Sequence, residues 1–120
     1  KTLPPSGSLL FISGAFSEKP NPNLFMTSIS VTAVESLVKN LALSISPIRV
    51  NAIAPYVVDT TDMTQQEKSI DRENFLNNVK ENLPANYVGT GQDIGEAAVF
   101  LLTNKYCNGT ILSLDGGYTI

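Results

Sequence analysis

AVESLVKNLALSISPIRVNAIAP, residues 33–55, passes in a single run from helical periodicity into a buried strand. Ala33, Leu37 and Leu41 recur at the spacing of one helix face. Extended back through Ile29 and Met26, the pattern predicts a helix over about 24–44. Leu24, Val31, Val38 and Ala42 put further apolar surface on its other faces, which predicts burial on more than one side. Beyond Pro47, the apolar run predicts a strand over 48–53, closed by Pro55 because proline fixes φ and withholds an amide donor.

The same reading extends in both directions. SLLFIS, residues 8–13, is a short apolar run bounded by Gly7 and Gly14 and predicts a strand buried on both faces. Pro20 and Pro22 make the following stretch a loop. Past residue 60, Ile70, Phe75, Leu76, Val79 and Leu83 mark an amphipathic helix that stops before Pro84. Thr90 can cap another helix from about Gln92, with Asp93 in its first turn and Ile94, Ala97, Ala98, Leu101 and Leu102 as its inner stripe. A last strand is predicted over 110–115, with Gly116 and Gly117 turning out of it.

Strand, helix, strand, helix, strand is the rhythm of parallel crossover units, so the expected class is α/β with about three parallel strands and flanking helices. A sheet that thin leaves the edge at LLFIS with unpaired backbone unless a missing N-terminal half or a partner chain covers it. One domain over 1–120 is expected, with a variable segment at 61–84 inside it.

Composition narrows the function classes. Charged residues are 16% and apolar residues 42%, the balance of a folding chain. A net charge of -3 with no basic block argues against nucleic acid as a partner. The absence of histidine removes the commonest metal ligand and general base, so no metal is expected. No apolar run approaches membrane-spanning length, and the single Cys107 cannot form an internal disulfide, so a reducing, cytoplasmic setting is expected. Asn108-Gly109-Thr110 fits a glycosylation acceptor but reads as a turn entering the last strand.

Taken in order, SGSLLFISG, AVESLVKNLALSISPIRVNAIAP, VVDTT, YVGTGQDIGEAAVFLL and NGTILSLDGGYTI resemble the C-terminal half of a short-chain dehydrogenase/reductase. That family consists of Rossmann-fold, NAD(P)-dependent oxidoreductases. The resemblance implies a partial, doubly wound Rossmann-like parallel sheet, NAD or NADP as cofactor, and a homo-oligomer or a missing N-terminal half as partner. The family's glycine-rich dinucleotide loop belongs to that other half, and no G-x-x-x-G-x-G occurs in this sequence.

The family's catalytic tyrosine and lysine precede its AVESL-like run, with a serine thirteen positions ahead of the tyrosine. Anchored on TAVESL, the lysine falls on Val31, the tyrosine on Thr27 and the serine on Gly14. No Y-x-x-x-K can be drawn elsewhere, because no lysine lies four positions after Tyr56, Tyr87, Tyr106 or Tyr118. Thr27 is a far weaker acid than a phenol, Val31 offers no charge, and Gly14 has no hydroxyl, so no catalytic residue is assigned. Ser28, Ser30, Tyr56 and Asp59 are the residues that relocated chemistry would have to use. Without a base to activate them, Ser28 and Ser30 read as packing and helix-start residues.

In the family a P-G-x-V-x-T loop meets the nicotinamide carboxamide. Here Pro55, Val58 and Thr60 match it and are the cofactor-binding candidates, while Tyr56 stands where the glycine would be and opposes a close backbone approach. The competing reading makes Pro55 and Thr60 a strand-to-loop turn. Two functions therefore follow: a non-catalytic structural or interaction module with the Ser/Tyr/Lys set lost, or part of a functional or divergent NAD(P)-dependent oxidoreductase whose N-terminal half lies elsewhere.

Overall fold

The computed structural model describes residues 3–60 and 70–120. Its elements are β1 (Ser8–Ile12), α1 (Phe25–Ser44), β2 (Arg49–Pro55), β3 (Val58–Asp59), α2 (Ile70–Asn82), β4 (Gly89–Thr90), α3 (Gly91–Thr103) and β5 (Ile111–Leu114). A parallel three-stranded sheet runs in the order β1-β2-β5, the α/β arrangement expected from the sequence. Ser8 pairs with Arg49 at one end of the first ladder, and Pro55 pairs with Leu114 at the end of the second.

β2 is central because its residues tolerate helices on both faces. Val50 and Ala52 are buried in a cluster with Val38 and Ala42 of α1. Strand alternation turns Asn51 and Ile53 to the opposite face, where α3 packs against β1 and β2. A buried asparagine at mid-strand needs partners for its amide. Asn51 Nδ2 donates to the Cys107 carbonyl at 2.9 Å, and its Oδ1 accepts from the Thr110 amide at 3.0 Å. The loop entering β5 is thus fixed to β2 by a side chain.

Arg49 closes α3 in the same way. Its guanidinium donates to the Leu101, Leu102 and Cys107 carbonyls at 2.6–3.0 Å, satisfying acceptors that a helix C-terminus leaves unpaired. The other end of α3 carries the expected cap. Thr90 Oγ1 accepts from the Asp93 amide while Asp93 Oδ2 accepts from the Thr90 amide, a reciprocal capping box.

The LDGG turn is required twice over. Gly116 and Gly117 have φ of 63° and 90°, and a Cβ on Gly117 would lie 2.9 Å from Pro84 Cγ. That contact seats the end of β5 against the turn leaving α2.

Three expectations need revision or bounding. The loop around Pro20 and Pro22 contains two 3₁₀ turns, Ala15–Ser17 and Pro22–Leu24, the second capped by the Asn21 side chain. In this chain α1 buries Ser28, Val38 and Ala42, while Met26, Ile29, Leu37 and Leu43 remain exposed, so it is buried on one side only. Of the variable segment at 61–84, residues 61–69 lie outside the described residues, as does the side chain of Ile70. In the rest of that stripe Val79 and Leu83 are buried, Leu76 is half-buried and Phe75 is exposed.

β1 forms one edge of the sheet, pairing only with β2 among the described residues, and Ile12 is 55% exposed at its end. No helix among the described residues is long and apolar enough to cross a membrane.

Candidate functional site

The carboxyl ends of β1 and β2 bring Gly14 and Pro55 up against Val31 of α1. Gly14 follows β1 directly, and a Cβ built on it would lie 3.2 Å from Val31 Cγ1 and 3.7 Å from the Pro55 carbonyl oxygen. Thr27 sits one turn before Val31 on α1. The positions aligned with the serine and the lysine are thus direct neighbours, and the position aligned with the tyrosine lies one helical turn away from the latter.

Two neighbours of Gly14 form a polar knot that the sequence reading missed. The Ser13 and Ser17 hydroxyls both lie 2.6 Å from Glu35 Oε1 and donate to it. Glu35 is one turn beyond Val31 on α1. The sequence did hold a signal: a lone acid one helical turn past an aligned catalytic position, opposite two serines flanking Gly14. Its geometry ties the loop after β1 to the helix, with the Val31 and Gly14 carbonyls as longer second acceptors for the Ser13 and Ser17 hydroxyls.

The residues considered for relocated chemistry are occupied otherwise. Ser28 Oγ donates back to the Leu24 carbonyl at 3.3 Å and Ser30 Oγ to that of Met26 at 2.8 Å, the local bonding of helix serines. Asp59 forms an ion pair with Arg72 of α2.

Tyr56 stacks on Tyr118 with ring centroids 3.8 Å apart and planes 6° from parallel, and Phe16 meets both rings edge-on. Burial first, and the neighbouring Tyr118 phenol second, raise the Tyr56 pKa above the ordinary tyrosine value. A proton-donating reductase tyrosine is helped by the opposite shift.

Pro55 ends β2 beside Gly14, Val58 lies in β3, and Thr60 follows it half-buried. The sequence reading missed the parallel ribbon that holds this loop, in which Val58 pairs with Gly89 and Asp59 with Thr90. The loop backbone is thereby fixed next to the aligned catalytic positions. At the far end of β5, burial pushes the Asp115 carboxyl up. Hydrogen bonds from Thr119 and the Gly117 amide outweigh that and leave its pKa below the ordinary aspartate value. Among the described residues no group of three His, Cys, Asp or Glu could hold a metal ion.

Residues 1–119 match the family model described as enoyl-(acyl carrier protein) reductase. A short-chain dehydrogenase/reductase of Stachybotrys chlorohalonatus, ATR9, is 30% identical over 110 residues, covering 92% of this chain and 43% of that protein. The inactive 2-(S)-hydroxypropyl-CoM dehydrogenase 2 of Xanthobacter autotrophicus is 38% identical over 92 residues, covering 72% of this chain and 40% of the relative. The crystal structure of a small-chain dehydrogenase in complex with NADPH superposes with a TM-score of 0.88 at 34% identity, covering 93% of this chain and 51% of that one. The chain spans about half the length, or less, of the relatives it matches. With its β-α-β order, its Asp115-Gly116-Gly117 turn and these likenesses taken together, the chain belongs to the short-chain dehydrogenase/reductase family.

Proposed function

We propose that this chain is the C-terminal half of a short-chain dehydrogenase/reductase scaffold that has lost the Ser/Tyr/Lys chemistry and acts as a structural or interaction module. The observation that carries the reading is the Gly14 to Val31 contact: a Cβ on Gly14 would lie 3.2 Å from Val31 Cγ1, so the two neighbouring positions present hydrogen and methyl groups in place of a hydroxyl and an ammonium. General acid-base assistance is worth roughly 10²–10⁴ in rate, and none of the aligned positions can supply it. That one relative bears the name of an inactive dehydrogenase supports the reading.

The outer face of α1 and the free edge of β1 give the module its contacts. Phe25, Met26 and Ile29 are each about 60% exposed, alongside a groove of about 580 Å³ lined by Phe16, Pro22, Phe25 and Ile29. The missing half of the scaffold or a second copy of the chain covers these surfaces.

A second reading, a divergent NAD(P)-dependent oxidoreductase, is favoured by Pro55, Val58 and Thr60 and by the NADPH-bound structural neighbour. The residues present fit a nicotinamide on its carboxamide side, where the β3–β4 ribbon holds the loop backbone and Thr60 offers a hydroxyl. They do not fit on the ribose side, where Val31 replaces an ammonium. A bound cofactor would supply or accept a hydride, while Pro55, Val58 and Thr60 would orient its ring.

Fluorescence titration of the intact protein with NADH and NADPH separates the two readings. The divergent enzyme requires saturable binding of one of them. Carbonyl-dependent NADPH oxidation that survives Ser28→Ala and Tyr56→Phe would overturn the module.

A further inference from the structure

A cavity of about 410 Å³ opens between the loop after β1, helix α2 and the turn after β5, with Tyr56 in its wall. That size is ordinary for a small-molecule site. Its walls are unlike those of a structural void. Phe75 is 43% exposed, so apolar surface faces water there. Lys19 is the one side-chain charge among the described lining residues, in a chain whose net charge is -3.

Lys19 is held in place. Its Nζ donates to the Tyr118 carbonyl at 2.8 Å and lies 4.8 Å from the centroid of the Tyr118 ring. Tyr118 is itself stacked on Tyr56 and braced by Phe16. An ammonium carries three donors, and only one is directed at that carbonyl. The cation therefore has donor capacity for a ligand and is fixed before one arrives, which reduces the ordering entropy that binding would otherwise cost.

The geometry points to this cavity as a binding site for a small apolar monocarboxylate, with the carboxylate on Lys19 and the aryl or alkyl body against Phe75, Leu83 and Ile120. The carboxylate meets the one side-chain charge among the described lining residues, and the body removes the exposed apolar wall from water. Asn78 and Asn82, on the α2 side, add polar atoms at the rim. This goes beyond the module reading: it concerns recognition without nucleotide and stands whether or not the intact protein turns anything over.

Calorimetric titration of the intact protein with 2-naphthoate and with its neutral analogue 2-naphthamide, at low salt and without cofactor, tests it. The acid is expected to bind about fivefold tighter than the amide, the scale of one half-exposed charged pair. Lys19→Met abolishes that preference and leaves amide affinity unchanged, Lys19→Arg keeps it, and Phe75→Ser weakens both ligands. Near-ultraviolet circular dichroism of the tyrosines shows whether the Tyr56–Tyr118 stack survives each change. Equal affinities for acid and amide in the unaltered protein, a preference that persists in Lys19→Met with the stack intact, or no binding of either compound would each overturn the proposal.

Discussion

At the scale of single residues, Gly14 and Val31 behave as one replacement made in two places. A Cβ on Gly14 meets Val31 Cγ1 at 3.2 Å, while the extended Gly14 backbone, at φ -168°, suits any residue. Gly14→Ser should therefore destabilise by about 1 kcal/mol through crowding, and the penalty should vanish in a Val31→Ala background. A urea double-mutant cycle reads that coupling directly. Glu35→Gln should lower stability by about 2 kcal/mol in the same assay, because two serine hydroxyls lose a charged acceptor. The proposal that Gly14, Thr27 and Val31 stand where a serine, a tyrosine and a lysine would be rests on the register of the sequence, anchored on TAVESL. The Ser13–Ser17–Glu35 knot left only a lone acid one turn past Val31 as its signal in the sequence, because the pairing joins residues 18 to 22 positions apart and a local pattern does not specify its partners.

At the scale of elements, the strands and helices were legible wherever an apolar period ran long enough. α1, α2, α3 and the three strands of the main sheet begin and end close to where period and proline placed them. The β3–β4 ribbon was not legible, because two-residue strands carry no period. The 3₁₀ turn at Pro22–Leu24 was hidden by a proline that suits the first position of a turn as well as a loop.

The Thr90 cap of α3 gives a further test. Thr90→Ala should destabilise by about 1 kcal/mol. Hydrogen bonds from the Thr90 backbone, the Thr90 side chain and then Tyr87 lower the Asp93 pKa below the ordinary aspartate value of 3.8. A depressed carboxyl stabilises the fold above that value and loses the contribution as pH falls through its lowered one. Urea midpoints in the unaltered protein should thus drop below about pH 4, and Thr90→Ala should flatten the drop. Gly117→Ala, at φ 90° and against Pro84, should cost about 1–3 kcal/mol, more than a helix-surface change.

At the scale of the whole molecule, the described chain is an α/β half in which β1 and β5 are both edge strands and the outer face of α1 is exposed. Part of its apolar exposure lies there, with Ile12 at the β1 edge and Phe25, Met26 and Ile29 on α1, where the module reading puts further scaffold or a second copy. Covering them should remove apolar surface on the scale of a protein interface, so intact protein carrying Ile29→Asp should show weakened association by sedimentation.

The central claim is that the reductase chemistry has been lost at three aligned positions. The most direct measurement is steady-state NADPH oxidation against a panel of ketones by the intact protein and by its Gly14→Ser/Thr27→Tyr/Val31→Lys variant. The unaltered protein is predicted to match the uncatalysed background, with the variant faster by about 10²–10⁴ where the cofactor is held. Saturable turnover by the unaltered protein at a rate equal to the variant's would contradict it.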